Sequence, residues 1–249
     1  MPPDSSPLTG AAWLRLHSTP EPVEIQKATK ETRAWFVVIE GTPYFAKWYP
    51  NELLDTWVAM EIKIAGPPLH PRIVPLRKAK RCRDGIVLLY DRISAEDLSS
   101  QDNRKKFAAL PVWPRAKACL DVIAALGAIC DAGFSVVDWY EGNMIYDFEA
   151  EQMWLFDWEL CHPVSAYTLE MDSNYGSSRL MAPEEFIRGS LIDESTLVYN
   201  LGRFATLTLP EYAENLAEVL SKATYPARDH RYQTVKDFRT AIRRLTVLG

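Results

Sequence analysis

The chain has 249 residues, about half of them apolar and about a quarter charged, which is enough for one large domain or two lobes. Its net charge of -5 provides no basic surface for nucleic acid or for an anionic membrane. No apolar run reaches the roughly 18 residues that cross a bilayer, so we expect neither a nucleic acid partner nor a membrane partner.

The N-terminus and the cysteines indicate the compartment. Residues 1–10 lack the basic start and apolar stretch of a signal peptide, and we expect residues 1–20 to form an N-terminal tail whose beginning is loose. The cysteines form no Cys-x-x-Cys pair and have no nearby histidine at metal-ligand spacing (Cys82, Cys119, Cys130, Cys161). This pattern predicts a reducing, cytoplasmic compartment in which all four are small packing residues.

The first ninety residues predict an antiparallel sheet that carries one helix. Runs of β-branched and aromatic residues predict strands over 23–27, 34–40, 44–48, 73–76 and 86–90, with a hairpin turn at 40–43. Apolar spacing predicts a helix over residues 51–65. The basic cluster that follows is typical of a solvated strand edge or turn (Arg77, Lys78, Lys80, Arg81, Arg83).

The pattern becomes mostly helical from about Asp97. Helices are predicted over 106–110, 116–132, 197–207, 216–223 and 235–245, and short strands over 144–146 and 153–156. We therefore expect an α+β fold with two lobes. A small antiparallel β lobe would cover residues 21–92, and a larger, mostly α-helical lobe would cover residues 93–249.

Two acidic motifs, separated by one predicted hairpin, suggest phosphate chemistry. Phosphoryl transfer needs a cation for the phosphates, oxygen ligands for Mg²⁺ and a carboxylate that orients the attacking hydroxyl. Asp138 and Asn143 share a short loop, so that one can accept the hydroxyl hydrogen bond while the other binds Mg²⁺. Asp157 ends the next predicted strand, where it can be a second ligand. Each motif alone is equally typical of a turn.

The cation for the phosphates would be Lys47, in the middle of a predicted strand. Glu61, on the helix that follows, can reach back to Lys47 and hold its ammonium group over the phosphates. The alternatives are a solvent-facing lysine and a surface glutamate.

Seven segments, in chain order, resemble motifs of the eukaryotic-type protein kinase family. They are Ala46-Lys47; Glu61 with His70-Pro71-Arg72-Ile73-Val74; Gly133-Phe134 with Asp138 and Asn143; Phe156-Asp157-Trp158; Met181-Ala182-Pro183-Glu184-Glu185; Val198-Tyr199-Asn200-Leu201-Gly202; and Arg228-Asp229-His230-Arg231-Tyr232. The resemblance covers nearly the whole chain from about Val23, and residues 179–186 are its most specific stretch. It implies a bilobal protein-kinase-like fold, with ATP as the phosphate donor and Mg²⁺ as the metal.

The resemblance also implies roles for the matching residues. Lys47 would contact the α- and β-phosphates and pair with Glu61. Asn143 and Asp157 would hold Mg²⁺, and Asp138 would be the catalytic base.

Further contacts follow from the same resemblance. Tyr90, Asp91 and Ile93 would line the nucleotide site. Glu184 would pair with Arg231 and brace the larger lobe.

The loop that would cover the phosphates departs from the family pattern. Residues 28–33 contain no glycine, so their backbone N–H groups approach a phosphate less closely, and Lys30 or Arg33 would have to substitute in part.

The usual bracing residues of the catalytic loop are also replaced. Val136-Val137 stands where the family has His-Arg, and Leu197 replaces an Asp of the central helix, so we expect an apolar brace. Without that Arg, a phosphate on the following segment loses its usual partner. We therefore expect that phosphorylation there is not the activating switch (Tyr167, Thr168, Ser173, Tyr175, Ser177, Ser178).

Three further replacements leave the identity of the phosphate acceptor undecided. Glu159 stands where the family has Gly after the metal-binding Asp. Tyr140 and Gly142 occupy the positions of the Lys of Ser/Thr kinases and the Arg of tyrosine kinases.

We therefore predict an ATP-dependent phosphotransferase, a divergent serine/threonine protein kinase. One alternative is a kinase that phosphorylates a small-molecule hydroxyl, as the Gly142-Asn143 pair suggests. The other is an inactive pseudokinase that acts as a binding module, as the loop without glycine and Glu159 suggest. The sequence does not identify the acceptor.

Overall fold

The computed structural model of the protein describes residues 6–25, 32–212 and 214–246. Over these residues the fold is mixed α+β, with a five-stranded antiparallel sheet and seven α-helices, which confirms the predicted α+β class. The chain forms two compact units. The first consists of the described residues up to Pro68 together with Val74–Ser94, and the second consists of Leu69–Ile73 and the described residues from Ala95 onward. None of the helices in these described ranges has the length and apolar character needed to cross a bilayer.

The first unit is built on the five-stranded sheet, in the order β1-β2-β3-β5-β4. Its strands are β1 (Val23–Ile25), β2 (Arg33–Ile39), β3 (Thr42–Pro50), β4 (Leu76–Cys82) and β5 (Gly85–Asp91). The predicted hairpin between β2 and β3 is confirmed: Ile39 pairs with Thr42, and the turn residues Glu40 and Gly41 have φ values of 52° and 78°. Such left-handed turn residues match the twist of the flanking strands.

A helix that the sequence did not predict covers one face of this sheet. Helix α1 (Gly10–His17) begins at Thr9, whose hydroxyl accepts a hydrogen bond from the Ala12 amide. It buries Trp13 and Leu14 against the apolar residues of the sheet. The expectation of a tail over residues 1–20 is therefore wrong for residues 6–20, because apolar burial orders this segment. Residues 1–5 lie outside the described residues.

The N-terminal segment also lies along β4. The Ser6 amide donates to the Arg81 carbonyl, and the Arg83 amide donates to the Leu8 carbonyl. Strand β4 is an edge strand that carries the basic cluster, as predicted. The predicted strand over 73–76 is wrong, because Pro75 has no N–H group with which to extend the ladder and β4 begins only at Leu76.

The helix predicted over residues 51–65 is irregular at its start. A 3₁₀ turn (Asn51–Leu53) and a π-helical turn (Leu54–Val58) precede the regular helix α2, which spans only Ala59–Ala65. This element carries Glu61.

The second unit combines helices with short strands. Its helices are α3 (Gln101–Ala108), α4 (Val112–Asp131), α5 (Glu194–Thr208), α6 (Ala217–Ala223) and α7 (Val235–Thr246). Its strands form two small sheets: β6 (Glu96–Asp97), β7 (Met144–Asp147) and β8 (Gln152–Leu155) in one, and β9 (Tyr167–Thr168) and β10 (Leu191–Ile192) in the other. Helix α4 is its buried centre, with Ile123, Leu126 and Ile129 fully enclosed.

The cysteines pack in the interior, as expected. Cys82, Cys119 and Cys161 are buried and Cys130 is half-buried. Burial raises the pKa of Cys82 to about 11 and that of Cys119 to about 12, so both thiols are protonated at neutral pH.

Candidate functional site

Strand β3 positions Lys47 on the sheet face that α1 does not cover. Residues two apart on a strand share a face, so Lys47 lies beside Tyr49, while Tyr44 and Ala46 face α1. Directly across, Leu88 of β5 pairs with Lys47. Lys47 is only 3% exposed, and the alternative of a solvent-facing lysine is therefore wrong.

The predicted pairing of Lys47 with Glu61 is confirmed. Lys47 Nζ lies 3.5 Å from Glu61 Oε1, and the glutamate is 1% exposed, so it is not a surface residue either. Burying an ammonium and a carboxylate is costly unless further hydrogen bonds satisfy them. Here the hydroxyl of Tyr49 donates to the same Oε1 at 3.0 Å.

The other three predicted nucleotide-site residues of this unit lie at or just after the end of β5. Tyr90 is buried and pairs across the sheet with Phe45, two residues from Lys47 on the same face. Asp91 ends the strand and accepts hydrogen bonds of 2.8 and 2.6 Å from Arg77. Ile93 follows and is half-buried.

The loop expected to cover the phosphates lies largely outside the described residues, since 26–31, including Lys30, are not among them. Arg33, at the start of β2, is described. Its guanidinium donates to both carboxylate oxygens of Glu24 at 2.8 and 2.7 Å.

In the second unit, the loop after α4 is tied together by Asn143. The side-chain nitrogen of this buried residue donates to the Asp138 carbonyl at 2.7 Å, and its amide donates to the Tyr140 carbonyl at 3.0 Å. The first bond leaves the side-chain oxygen of Asn143 as the atom that can bind a metal.

Asp157 is joined to the same loop. The amide of Phe156, the residue before it, donates to the Asn143 carbonyl at 3.2 Å. Hydrogen bonds thus connect the segments that carry Asp138, Asn143 and Asp157. Both aspartates have left-handed backbones, with φ values of 56° at Asp138 and 74° at Asp157. Such conformations cost a non-glycine residue about 1–3 kcal/mol and concentrate at functional sites.

Tyr140 lies within the field of these carboxylates. Its pKa is raised, first by burial and then by Asp138, Asp157 and Glu141, so the phenol stays protonated at neutral pH. Its ring packs on Gly142, where an added Cβ atom would lie 2.3 Å from the nearest ring carbon. Glu141 is held in turn by Arg179 at 2.8 Å.

The predicted pairing of Glu184 with Arg231 is also confirmed. The guanidinium donates to the two carboxylate oxygens at 2.6 and 2.9 Å, and both residues are buried. The hydroxyl of Thr196, on α5, adds a third hydrogen bond to Glu184 at 2.9 Å.

The neighbouring Glu185 is the centre of a buried network that sequence reasoning missed. Its carboxylate accepts hydrogen bonds from the side chains of Asn174, at 3.1 Å, and Asn200, at 2.7 Å, and from the Ala182 amide at 2.7 Å. The Tyr167 hydroxyl donates to Asn174 at 3.1 Å. Burial raises the pKa of Glu185 above its ordinary value, against the effect of these hydrogen bonds.

Two residues of the expected apolar brace, Val136 and Leu197, lie close together. Val136 and Leu197 line the same cavity of about 20 Å³, and Val137 is buried. A second cavity of about 10 Å³ is lined by Asp138 itself together with Leu180 and Met181. The segment before Pro183 therefore borders the predicted base.

Comparisons of the sequence with models of known protein families and with curated proteins find no match.

Proposed function

We propose that the protein is an ATP- and Mg²⁺-dependent phosphotransferase that acts on a hydroxyl group, with its two units corresponding to the lobes of a divergent serine/threonine protein kinase. The observation that carries this proposal is the loop centred on Asn143. Its hydrogen bonds, to the backbone carbonyl of Asp138 and from the backbone amide of Phe156, connect the segment that carries Asp138, suited to be a base, with the segment that carries Asp157, suited to bind a metal. Two aspartates that only form turns would not require hydrogen bonds between the segments that carry them.

The donor set fits magnesium. Mg²⁺ prefers oxygen ligands, and Asn143 and Asp157 offer an amide oxygen and a carboxylate from two neighbouring segments. When bound, the metal would neutralise the phosphate oxygens of the nucleotide. Glu159, half-buried two residues after Asp157, adds a further negative charge.

The protein groups have separate tasks in this proposal. Lys47 holds the α- and β-phosphates, and Glu61 holds Lys47. Asp138 orients the acceptor hydroxyl and takes its proton while the hydroxyl oxygen bonds to the terminal phosphorus. The bond from that phosphorus to the bridging oxygen breaks, and ADP leaves.

A protein substrate is favoured by the segment between Arg179 and Phe186. Glu184 and Glu185 fix it through buried hydrogen bonds, and Leu180 and Met181 border the cavity that contains Asp138. A rigid segment beside the base is suited to hold an extended peptide. The Glu185 network orders this segment with uncharged partners, which supports the expectation that no activating phosphate is needed there.

A small-molecule acceptor is the second candidate. It is favoured by Tyr140, whose ring packs on Gly142 and occupies space beside Asp138 that the Lys of a protein kinase would use. Transfer of radioactive phosphate to a generic basic protein would support the first candidate. Transfer that occurs only with a pool of metabolites would support the second.

The proposal is tested by thermal unfolding with ATP, with and without Mg²⁺. A ligand that binds only the folded state adds about 2.7 kcal/mol at 100 times its dissociation constant, which is readily measured. We expect a Mg²⁺-dependent stabilisation of the wild type and of Asp138→Asn, and none of Asp157→Ala. Asp138→Asn should lose about 10²–10⁴-fold in transfer rate, the usual contribution of a general base.

Two results would contradict the proposal. Absence of stabilisation by millimolar ATP would exclude the nucleotide site. Stabilisation by ATP, together with an Asp138→Asn variant that keeps the full biological function of the protein, would favour a pseudokinase that acts as a binding module.

A further inference from the structure

Three side chains of the first unit form a buried cluster of their own. Lys47 is 3% exposed, Glu61 is 1% exposed and Tyr49 is fully enclosed. The proposed function uses the first two, and nothing in it requires a tyrosine at the third position. A hydroxyl placed in the interior needs a hydrogen-bond partner, because an unpaired one is costly.

The tyrosine contacts both members of the ion pair. Its hydroxyl donates to Glu61 Oε1 at 3.0 Å, the same oxygen that lies 3.5 Å from Lys47 Nζ. Its ring centroid lies 4.9 Å from that Nζ, within the range of a cation–π interaction. One side chain therefore holds the carboxylate at its tip and the ammonium on its ring.

The backbone of Tyr49 is firmly fixed. It lies within β3, paired with Ile86 of β5. The β5 backbone approaches so closely at Gly85 that an added Cβ atom would lie 2.0 Å from the Tyr49 carbonyl oxygen. Tyr49 is thus anchored in the centre of the sheet.

Glu61, in contrast, lies on a helix whose conformation is only weakly favoured by its own residues. Helix α2 has seven residues, lacks a side-chain N-cap and follows 3₁₀ and π-helical turns. Helices this short are marginal by themselves, and such irregular turns often mark hinges. The position of Glu61 must therefore be set by tertiary contacts.

We propose that Tyr49 is a positioning residue, which holds Glu61 against Lys47 so that the phosphate-binding ammonium is ordered before any nucleotide binds. This inference rests on the proposed function for its purpose. The contact itself can be tested without nucleotide.

The first test measures how fast acetic anhydride acylates Lys47 in the nucleotide-free protein at constant pH, read by peptide mass spectrometry. Tyr49→Phe keeps the ring and removes only the hydroxyl. We expect Lys47 of Tyr49→Phe to be acylated about tenfold faster, because the free energy of one hydrogen bond to a charged group corresponds to about that ratio. The matched control is Tyr44→Phe, which removes a hydroxyl from the opposite face of the same strand and should leave the rate unchanged.

A double-mutant cycle separates positioning from packing. If Tyr49 acts through Glu61, then adding Tyr49→Phe to Glu61→Ala will not change the acylation rate further. Equal effects in both backgrounds would overturn the inference, as would a wild-type rate in Tyr49→Phe. Urea unfolding of each variant establishes that the rates refer to folded protein. If Tyr49→Phe does not fold, Tyr49→Met, which also lacks the hydroxyl, replaces it in the same cycle.

The second test measures ATP affinity with Mg²⁺ and the phosphate-transfer rate. We expect Tyr49→Phe to weaken affinity by about tenfold, with Tyr44→Phe unchanged. If the wild type binds no nucleotide, the proposed function fails, while the acylation result still decides whether Tyr49 positions Glu61. If the wild type binds and Tyr49→Phe binds equally well with unchanged acylation, the inference fails and the function stands.

Discussion

Arg231 and Glu184 face each other through two parallel hydrogen bonds in the interior of the second unit, although 47 positions separate them in the chain. Two planar groups in this arrangement fix both the distance and the orientation of the segments that carry them. Glu184 follows the segment that borders Asp138, and Arg231 precedes α7. The pair therefore fixes the segment around Glu184, and with it Leu180 and Met181, which line the same cavity as Asp138.

Removal of the cation from this pair should destabilise the fold strongly. We expect Arg231→Met to lower the free energy of unfolding by about 3 kcal/mol, because the buried Glu184 carboxylate loses both of its short hydrogen bonds to a cation and keeps only the half-buried Arg228, at 3.9 Å, as a countercharge. Urea unfolding measures the loss. Glu184→Gln combined with Arg231→Met should recover part of it. Lys105→Met, which removes an exposed ion pair of 3.6 Å with Asp102, should cost less than about 1 kcal/mol. Equal losses in the two single variants would contradict the prediction.

The stability of the protein should depend on pH through Glu185. Burial raises its pKa above 4.5, so the folded state binds the proton more tightly than the unfolded state does. The stabilisation that Glu185 provides through this shift is therefore complete below pH 4.5 and is lost as the pH rises through the folded-state pKa. In Glu185→Gln this dependence is absent. We expect the unfolding free energy of the wild type minus that of Glu185→Gln to fall with rising pH, as urea unfolding at several pH values would measure. A value that rises with pH would refute the prediction.

The ring of Tyr140 should determine the cost of a substitution at Gly142. An added methyl group at Gly142 would force this half-buried ring to move, so Gly142→Ala should cost about 1 kcal/mol of unfolding free energy. Tyr140→Ala removes the obstructing ring. In that background the same Gly142→Ala change should cost much less, and equal costs in both backgrounds would show that the ring is not the cause.

Because the backbone at Asp157 is left-handed, two substitutions there should differ in stability but not in nucleotide binding. At a φ of 74°, glycine is free of the steric cost that alanine bears, so Asp157→Gly should be more stable than Asp157→Ala by about 1 kcal/mol. Both variants should lose the Mg²⁺-dependent stabilisation by ATP, because both lack the carboxylate. Chemical denaturation with and without the nucleotide compares them. An alanine variant as stable as the glycine variant would argue against strain at this position.

Local patterns in the sequence predicted the sheet well. Alternating apolar residues and the turn at Glu40-Gly41 determine the β2–β3 hairpin. The pairings of Lys47 with Glu61 and of Glu184 with Arg231 came from the order of the motifs, since no periodicity connects residues so far apart.

The features that the sequence did not predict depend on tertiary contacts. Helix α1 is short and follows a Pro- and Ser-rich start, and it is ordered because Trp13 and Leu14 cover the sheet. The Glu185 network joins polar residues from separate segments, and nothing in the local sequence distinguishes them from surface residues. Tyr49 comes directly after the predicted strand over 44–48, and its spacing from Lys47 places both residues on one face of β3.

The end of one edge of the five-stranded sheet is covered by the N-terminal segment. Ser6 and Leu8 occupy backbone groups of Arg81 and Arg83. A long uncovered edge is a template for aggregation. The N-terminal segment therefore leaves fewer backbone groups at this edge for pairing with another chain, besides completing the core. A chain shortened beyond Leu8 would present the end of β4 to its own copies.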